Sequence, residues 1–206
     1  MVRRDPDATR QRILEAAGAE IHRHGFRSAS IDQILSDTGL TKGALYHHFP
    51  TKADLGYAVV DEVIRSWFLS RWVEPMERSS NPIDGFIQAL NDFSPQEVET
   101  LCDCGCPLNN LAQEMSSVDE TFRQKLANVY RCLTERMVDA LLRGQGAGFV
   151  APDVDCRQAA VFLSATLAGA AGAAKNGRDP AILAACRDGI VRYLESLRAP
   201  VIATVS

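Results

Sequence analysis

Between Ser30 and Asp54 the chain starts and stops helices more often than any fold but a cluster of very short ones allows. Ser30-Ile-Asp-Gln33 has the form of a capping box, with a hydroxyl to accept a backbone N–H and a side chain to return the bond. Ile31, Ile34 and Leu35 then give a brief helix its inward face. Thr38-Gly39-Leu40 makes a tight turn, Thr41 caps a second short helix, and Pro50 stops that helix just past Phe49. Thr51-Lys-Ala-Asp54 opens a longer helix, expected to run through about Arg71. Two short helices joined by a glycine-bearing turn form a helix-turn-helix pattern.

The rest of the chain is also patterned for helices, so the expected fold class is all-α. Ile13, Leu14, Ala17 and Ile21 share one face of a first helix that Gly25 is placed to end. Ser94-Pro95-Gln-Glu97 opens another, and Ser117-Val-Asp-Glu120 is expected to cap a long helix carrying Phe122, Leu126, Val129, Leu133, Met137 and Leu141 on one stripe. Gly144-Gln-Gly-Ala-Gly148 follows a helix rather than a strand, so its glycines read as a helix end and not a phosphate loop. Asp155 and Asp179 cap the last two helices, at about 156–175 and 180–198. The expected division is residues 7–67 as a three-helix helix-turn-helix domain and 68–206 as a larger helical bundle.

With 46% hydrophobic and 23% charged residues, the composition excludes a disordered or collagen-like chain. The net charge of −4 argues against a nucleic-acid binder until it is located. Residues 1–52 carry eight Lys and Arg against six Asp and Glu, together with all four histidines, whereas the remainder carries 14 against 20. The start has no apolar run, and the uncharged stretch 158–174 is short and rich in Ala and Gly. Neither reads as a leader or a membrane span, and six cysteines without a leader suggest reduced thiols in a cytoplasm.

On the second short helix, at about 100° per residue, Leu45 and Phe49 point to the core. His47 lies opposite, with Gly43 and Ala44 beside it, two residues small enough to let a helix backbone approach a groove floor. Tyr46 and His48 fall on the flanks, within reach of bordering phosphates. Thr41 and Lys42 stand at the helix N-terminus, where free N–H groups favour an anion, and Lys52 and Ser30, with Arg27 nearby, offer two more phosphate contacts. Each residue taken alone also fits an ordinary solvated or partly buried polar side chain.

Thr9-Arg-Gln-Arg-Ile-Leu-Glu-Ala-Ala, Gly25-Phe-Arg-Ser-Ala-Ser-Ile-Asp-Gln-Ile and Thr38-Gly-Leu-Thr-Lys-Gly-Ala-Leu-Tyr-His-His-Phe-Pro-Thr-Lys-Ala-Asp-Leu resemble the N-terminal domain of tetracycline-repressor (TetR) family regulators. The resemblance covers about residues 7–67. It implies a homodimeric repressor of double-stranded operator DNA, released by a small-molecule effector bound in the C-terminal domain. It implies phosphate contacts for Tyr46, His48 and Lys52 and base-facing positions for Lys42 and Ala44, while His47 occupies a variable position.

In the C-terminal part, Ser164, Ala168 and Gly172 lie at i+4 spacing, and Leu183, Ile190, Leu194 and Leu197 form an apolar stripe on the last helix. Both fit a four-helix dimer interface, or alternatively a contact within one subunit. Cys102, Cys104 and Cys106 form a C-x-C-x-C run. No histidine lies beyond residue 48 to complete a tetrahedral metal site, so no metal and no cofactor are expected. Cys106, just before the helix start at Pro107, is the candidate sensor thiol, with Cys102 or Cys104 as resolving partner; the alternative is three structural cysteines. Gly105-Cys106-Pro-Leu-Asn-Asn110-Leu also resembles the G-C-x-L-x-N-L segment of a TetR subgroup, which implies a thiol-reactive effector for some members. Trp67, Phe68, Trp72, Phe86, Phe93, Phe122 and Tyr130 are the candidate lining of an effector pocket, or else plain core. A cysteine-nucleophile enzyme would lack a base, because every histidine lies in the first 48 residues. The expected function is therefore a ligand-relieved repressor rather than an enzyme, the alternative being a ligand-independent regulator or activator of the same fold.

Overall fold

The computed structural model describes residues 6–200; the expectations for the extreme N-terminus and for residues 201–206 fall outside them. Twelve α-helices are present among the described residues, with one isolated bridge between Val150 and Arg198 and no strand. The chain divides into two compact units: one up to Trp67 together with Cys106–Val129, the other Phe68–Gly105 together with Tyr130 onward. The first unit's opening segment ends at Trp67, and residues 106–129 belong to the same unit.

In the first unit, α1 (Pro6–His24) buries Ile13, Leu14, Ala17 and Ile21. α2 (Ile31–Thr38) is capped by the Ser30 hydroxyl, which accepts the Gln33 N–H. α2 ends on Gly39 at φ 62°, a left-handed conformation that glycine adopts without the Cβ clash of other residues. α3 (Lys42–His48) begins at Thr41, whose side chain accepts the Ala44 N–H. α4 (Lys52–Ala58) has the full Thr51–Asp54 capping box. The unit is completed by α9 (Pro107–Met115) and by the start of α10 (Glu120–Gly146). Phe122, fully buried, packs its ring 4.6 Å from that of Phe26 and 4.8 Å from that of Tyr57. Asp119, not Ser117, supplies the acceptor at the start of α10: its carboxylate takes the Phe122 N–H and the Tyr57 hydroxyl.

The helix expected to stop near Arg71 continues to Arg78, through α5 (Arg65–Phe68) and α6 (Glu74–Arg78). Two π-helical turns, Val59–Ile64 and Leu69–Val73, separate these segments. In the second unit, α7 (Pro82–Asn91) and α8 (Pro95–Cys104) are capped by Asn81 and Ser94. α11 (Cys156–Gly177) and α12 (Pro180–Ser196) are capped by Asp155 and Asp179, as their sequences require. Trp72, Met76, Phe86, Met137, Leu163, Ile190 and Leu194 lie in its core, where each fully buried side chain stabilises by about 1.5–3 kcal/mol.

Candidate nucleic-acid interface

α3 is too short to be stable alone, so its orientation is set by what holds it. Leu45 is fully buried and Phe49 nearly so, and the guanidinium of Arg10 covers the Phe49 ring at 5.2 Å. Arg10 is itself tied to Glu62 by two bonds of 2.6 Å, and Arg12 donates to the Thr38 carbonyl at 2.5 Å, fixing the end of α2. The opposite side of α3 is open. Lys42, Gly43 and His47 are exposed, Tyr46 is 38% exposed, and a Cβ on Gly43 would meet nothing within 4 Å. His47 and His48 stand edge to face, 5.4 Å apart. A helix with bare backbone, a lysine at its N-terminus and a row of aromatic donors matches what a major groove and its phosphates require.

The expected phosphate contacts divide. Ser30 and Thr41 each accept one backbone N–H in capping, which leaves the hydroxyl hydrogen to donate. Arg27 is exposed. Lys52 has a second occupation: Nζ donates to the carbonyls of Ala29 (2.7 Å) and Arg27 (3.0 Å) and lies 5.2 Å from the centre of the Phe26 ring. Two of its three N–H groups thus hold the loop between α1 and α2.

That loop is gripped from its other side by Glu114, in the last turn of α9, a residue the sequence reading missed. Its carboxylate accepts the N–H groups of Phe26 and Arg27, both at 2.8 Å. Gly25, at φ 80°, permits the approach, since a Cβ there would fall 2.8 Å from the Glu114 oxygen. Nothing local in the sequence marks this contact between residues almost ninety positions apart.

Cys106 is only 7% exposed, and burial pushes its thiol up, against the smaller opposing effect of the Asn109 and Leu108 N–H groups. Burial likewise raises Cys102, helped by the charges of Asp103 and Asp179. Cys104 is buried, and none of the six cysteines is in a disulfide. Cys106 is the N-cap of α9, its sulfur accepting the Asn109 N–H at 3.5 Å; an enclosed thiol of raised pKa favours the structural reading of this cysteine over the sensor reading. Of the proposed pocket aromatics, Phe122 belongs to the core of the first unit. Trp72 stacks on Phe86 (5.4 Å) and meets Phe93 (5.7 Å) in the second, where Phe68 is buried and Tyr130 partly so; Trp67 is partly buried at the end of the first unit's opening segment.

The residues expected at a dimer interface divide between buried and partly open positions. Ile190, Leu194 and Leu197 are buried within the chain, and the Ser164 hydroxyl meets the Met137 sulfur at 3.8 Å. Ala168, Gly172 and Leu183 are partly buried. The open row on α11 is displaced by one residue, to Val161, Ala165, Gly169 and Ala173, with Ala181, Ala185 and Gly189 open on α12. A helical face turns by about 100° per residue, so the two rows lie side by side on α11 and both remain at least partly open.

Residues 13–59 match the bacterial regulatory proteins of the tetR family, and residues 83–190 match the tetracyclin repressor-like C-terminal domain. An uncharacterized HTH-type transcriptional regulator of Lactococcus lactis is 28% identical over 133 residues, 65% of this chain and 68% of the relative. The HTH-type transcriptional repressor SCO4008 of Streptomyces coelicolor is 35% identical over 101 residues, 49% of this chain and only 50% of that repressor. Among solved structures, a TetR transcriptional regulator from Chloroflexus aurantiacus superposes with a TM-score of 0.80 at 23% identity, covering 95% of this chain and 98% of the other. The second match alone spans more than half of the sequence, and together with the exposed α3 it places the chain in the TetR family of DNA-binding transcriptional regulators, not among enzymes.

Proposed function

We propose that the protein is a cytoplasmic, homodimeric repressor that inserts α3 into the major groove of operator DNA and is released by a small molecule bound in its second unit. The observation that carries this reading is the division of α3, with Leu45 and Phe49 locked inward while Lys42, Gly43, Tyr46 and His47 stand free. Reading two successive turns of the groove requires two such helices about 34–36 Å apart, hence a two-fold dimer. Val161 (51% exposed) and Phe162 (45%), with the small residues of α11 and α12, offer the apolar surface for it. Among the described residues no helix is long and apolar enough to cross a membrane. The G-C-x-L-x-N-L spelling supports the subgroup resemblance, but the buried cap at Cys106 favours a non-covalent effector over a thiol-reactive one.

Duplex selected from a random pool tests the DNA reading. Tyr46→Ala with His47→Ala should weaken binding by at least about 100-fold while sedimentation still reports a dimer. Unchanged, strongly salt-dependent affinity in that variant would overturn the assignment to α3. Gly169→Trp should convert the dimer to a monomer, and a dimer that persists would remove α11 from the interface.

A further inference from the structure

Arg71 sits in the π turn Leu69–Val73, where the Glu74 N–H reaches back to the Leu69 carbonyl. Pro75 follows and, having no N–H, cannot bond the Arg71 carbonyl in α-helical register, which accounts for the irregularity. Such turns inside helices are frequent at functional sites. The guanidinium lies against aromatic walls: its carbon is 3.7 Å from the centre of the Phe93 ring and 5.9 Å from that of Trp72, which stacks on Phe86.

The polar contacts of this cation are few and fall on one corner. Nη1 is 3.4 Å from the Asp92 carbonyl, a marginal bond, and 3.9 Å from the Glu97 carboxylate. Nε and Nη2 are closed off from solvent, and among the described residues neither meets an acceptor. These two N–H groups lie side by side on one edge of the guanidinium plane, the fork that receives both oxygens of a carboxylate in parallel bonds. Buried charged donors without partners are rare, because the desolvation they suffer is not returned. Glu97 does not supply the missing acceptor. One of its oxygens is held by the Ser94 N–H and hydroxyl, both at 2.8 Å, and the other approaches Nη1 instead.

We propose that the Nε/Nη2 edge of Arg71 is a binding site for the carboxylate of a small aromatic acid. A monoanion fits better than a phosphate, because one fork offers two donors and the neighbouring Glu97 carboxylate opposes any further negative charge. Trp72, Phe86 and Phe93 favour an aryl group beside the carboxylate. Phe93, half-buried on the short loop between α7 and α8, is the least enclosed of these three rings, since Trp72 and Phe86 are buried. The inference rests on the effector reading above and specifies its chemistry.

The test titrates benzoate and phenylacetate, to roughly millimolar concentration, against full-length Trp67→Phe protein, whose remaining tryptophan is Trp72. Saturable change in Trp72 fluorescence is expected, with none from benzyl alcohol or benzamide. In the same background Arg71→Gln should abolish the response, and Arg71→Lys, which keeps the charge but loses the fork, should weaken it about 10-fold or more. No response to either acid, or equal responses to acid and neutral isostere, overturns the proposal, as does an Arg71→Lys variant that binds like the parent. Release of selected duplex is measured in parallel. Benzoate that binds at Arg71 without releasing DNA sinks the effector reading and leaves the site standing. Release by neutral aromatics alone does the reverse.

Discussion

Lys52 in the first unit and Arg71 in the second are both cations laid against phenylalanine rings, yet they differ in what their N–H groups meet. Lys52 gives two of its three to backbone carbonyls at 2.7 and 3.0 Å, and so braces the loop that carries Arg27 and leads into α2. Arg71 makes one long bond and leaves its best-shaped edge bare. A compact ammonium can be satisfied by whichever carbonyls converge on it, whereas a planar fork needs two acceptors in its own plane. The first is an internal strut, and the second has the form of a receptor for something outside the chain.

The largest effect should come from removing the strut. Lys52→Met keeps most of the stem but deprives two carbonyls of a charged donor, and should cost about 2 kcal/mol in urea unfolding. It should also weaken duplex binding, since the loop holding Arg27 and Ser30 loosens. A variant as stable as the parent would show that Lys52 is a solvated side chain free for phosphate alone.

Glu114→Gln comes next, at about 1–2 kcal/mol, because the amide replaces one of two acceptors with a donor that faces a backbone N–H. Glu114 and Lys52 hold the same loop, so the double variant should lose less than the two single losses combined. Full additivity would mean that the two contacts are independent.

The smallest effect concerns acid, and it divides surface ion pairs from the two partly buried cations. Glu62 is held below the usual carboxylate range by the Arg10 hydrogen bonds, which outweigh burial. Asp119 is lowered by the Phe122 N–H and the Tyr57 hydroxyl, and Glu120 is pulled down to about 2 by Arg123. Depressed folded-state values mean stability that is complete above the unfolded pKa, near 4, and lost as pH falls through the folded ones. Urea midpoints should therefore stay level from about pH 7 to 5 and decline below about 4, modestly, because Glu62 and Glu120 are exposed and Asp119 is only partly buried. A midpoint that rose on acidification would contradict the assigned partners.

The caps at Ser30, Thr41, Thr51, Asp155 and Asp179, and the glycine turn at Gly39, were legible because each is decided within three or four residues. The inward and outward sides of α3 were legible for the same reason, with bulky apolar residues only on one of them. On α11 small residues occupy both Ser164–Ala168–Gly172, which is partly buried, and Ala165–Gly169–Ala173, which is exposed, so spacing alone does not rank the two rows. Which of the two readings, pocket lining or core, applies to Phe122 was not legible, because its partners Phe26 and Tyr57 are distant in sequence. Pro75 was the one local sign of the π turn at Arg71, and an arginine between Phe68 and Trp72 reads as a solvated residue until its neighbours are known.

The contrast between the two cations is tested most directly by making the same change at both and unfolding each variant in urea beside the parent. Lys52→Met should lose about 2 kcal/mol. Arg71→Met, which removes two unsatisfied buried donors and keeps an apolar stem among Trp72, Phe86 and Phe93, should stay within about 1 kcal/mol of the parent or exceed it. Equal losses at the two positions would contradict the account, because they would make Arg71 a strut like Lys52 and leave no fork for a ligand.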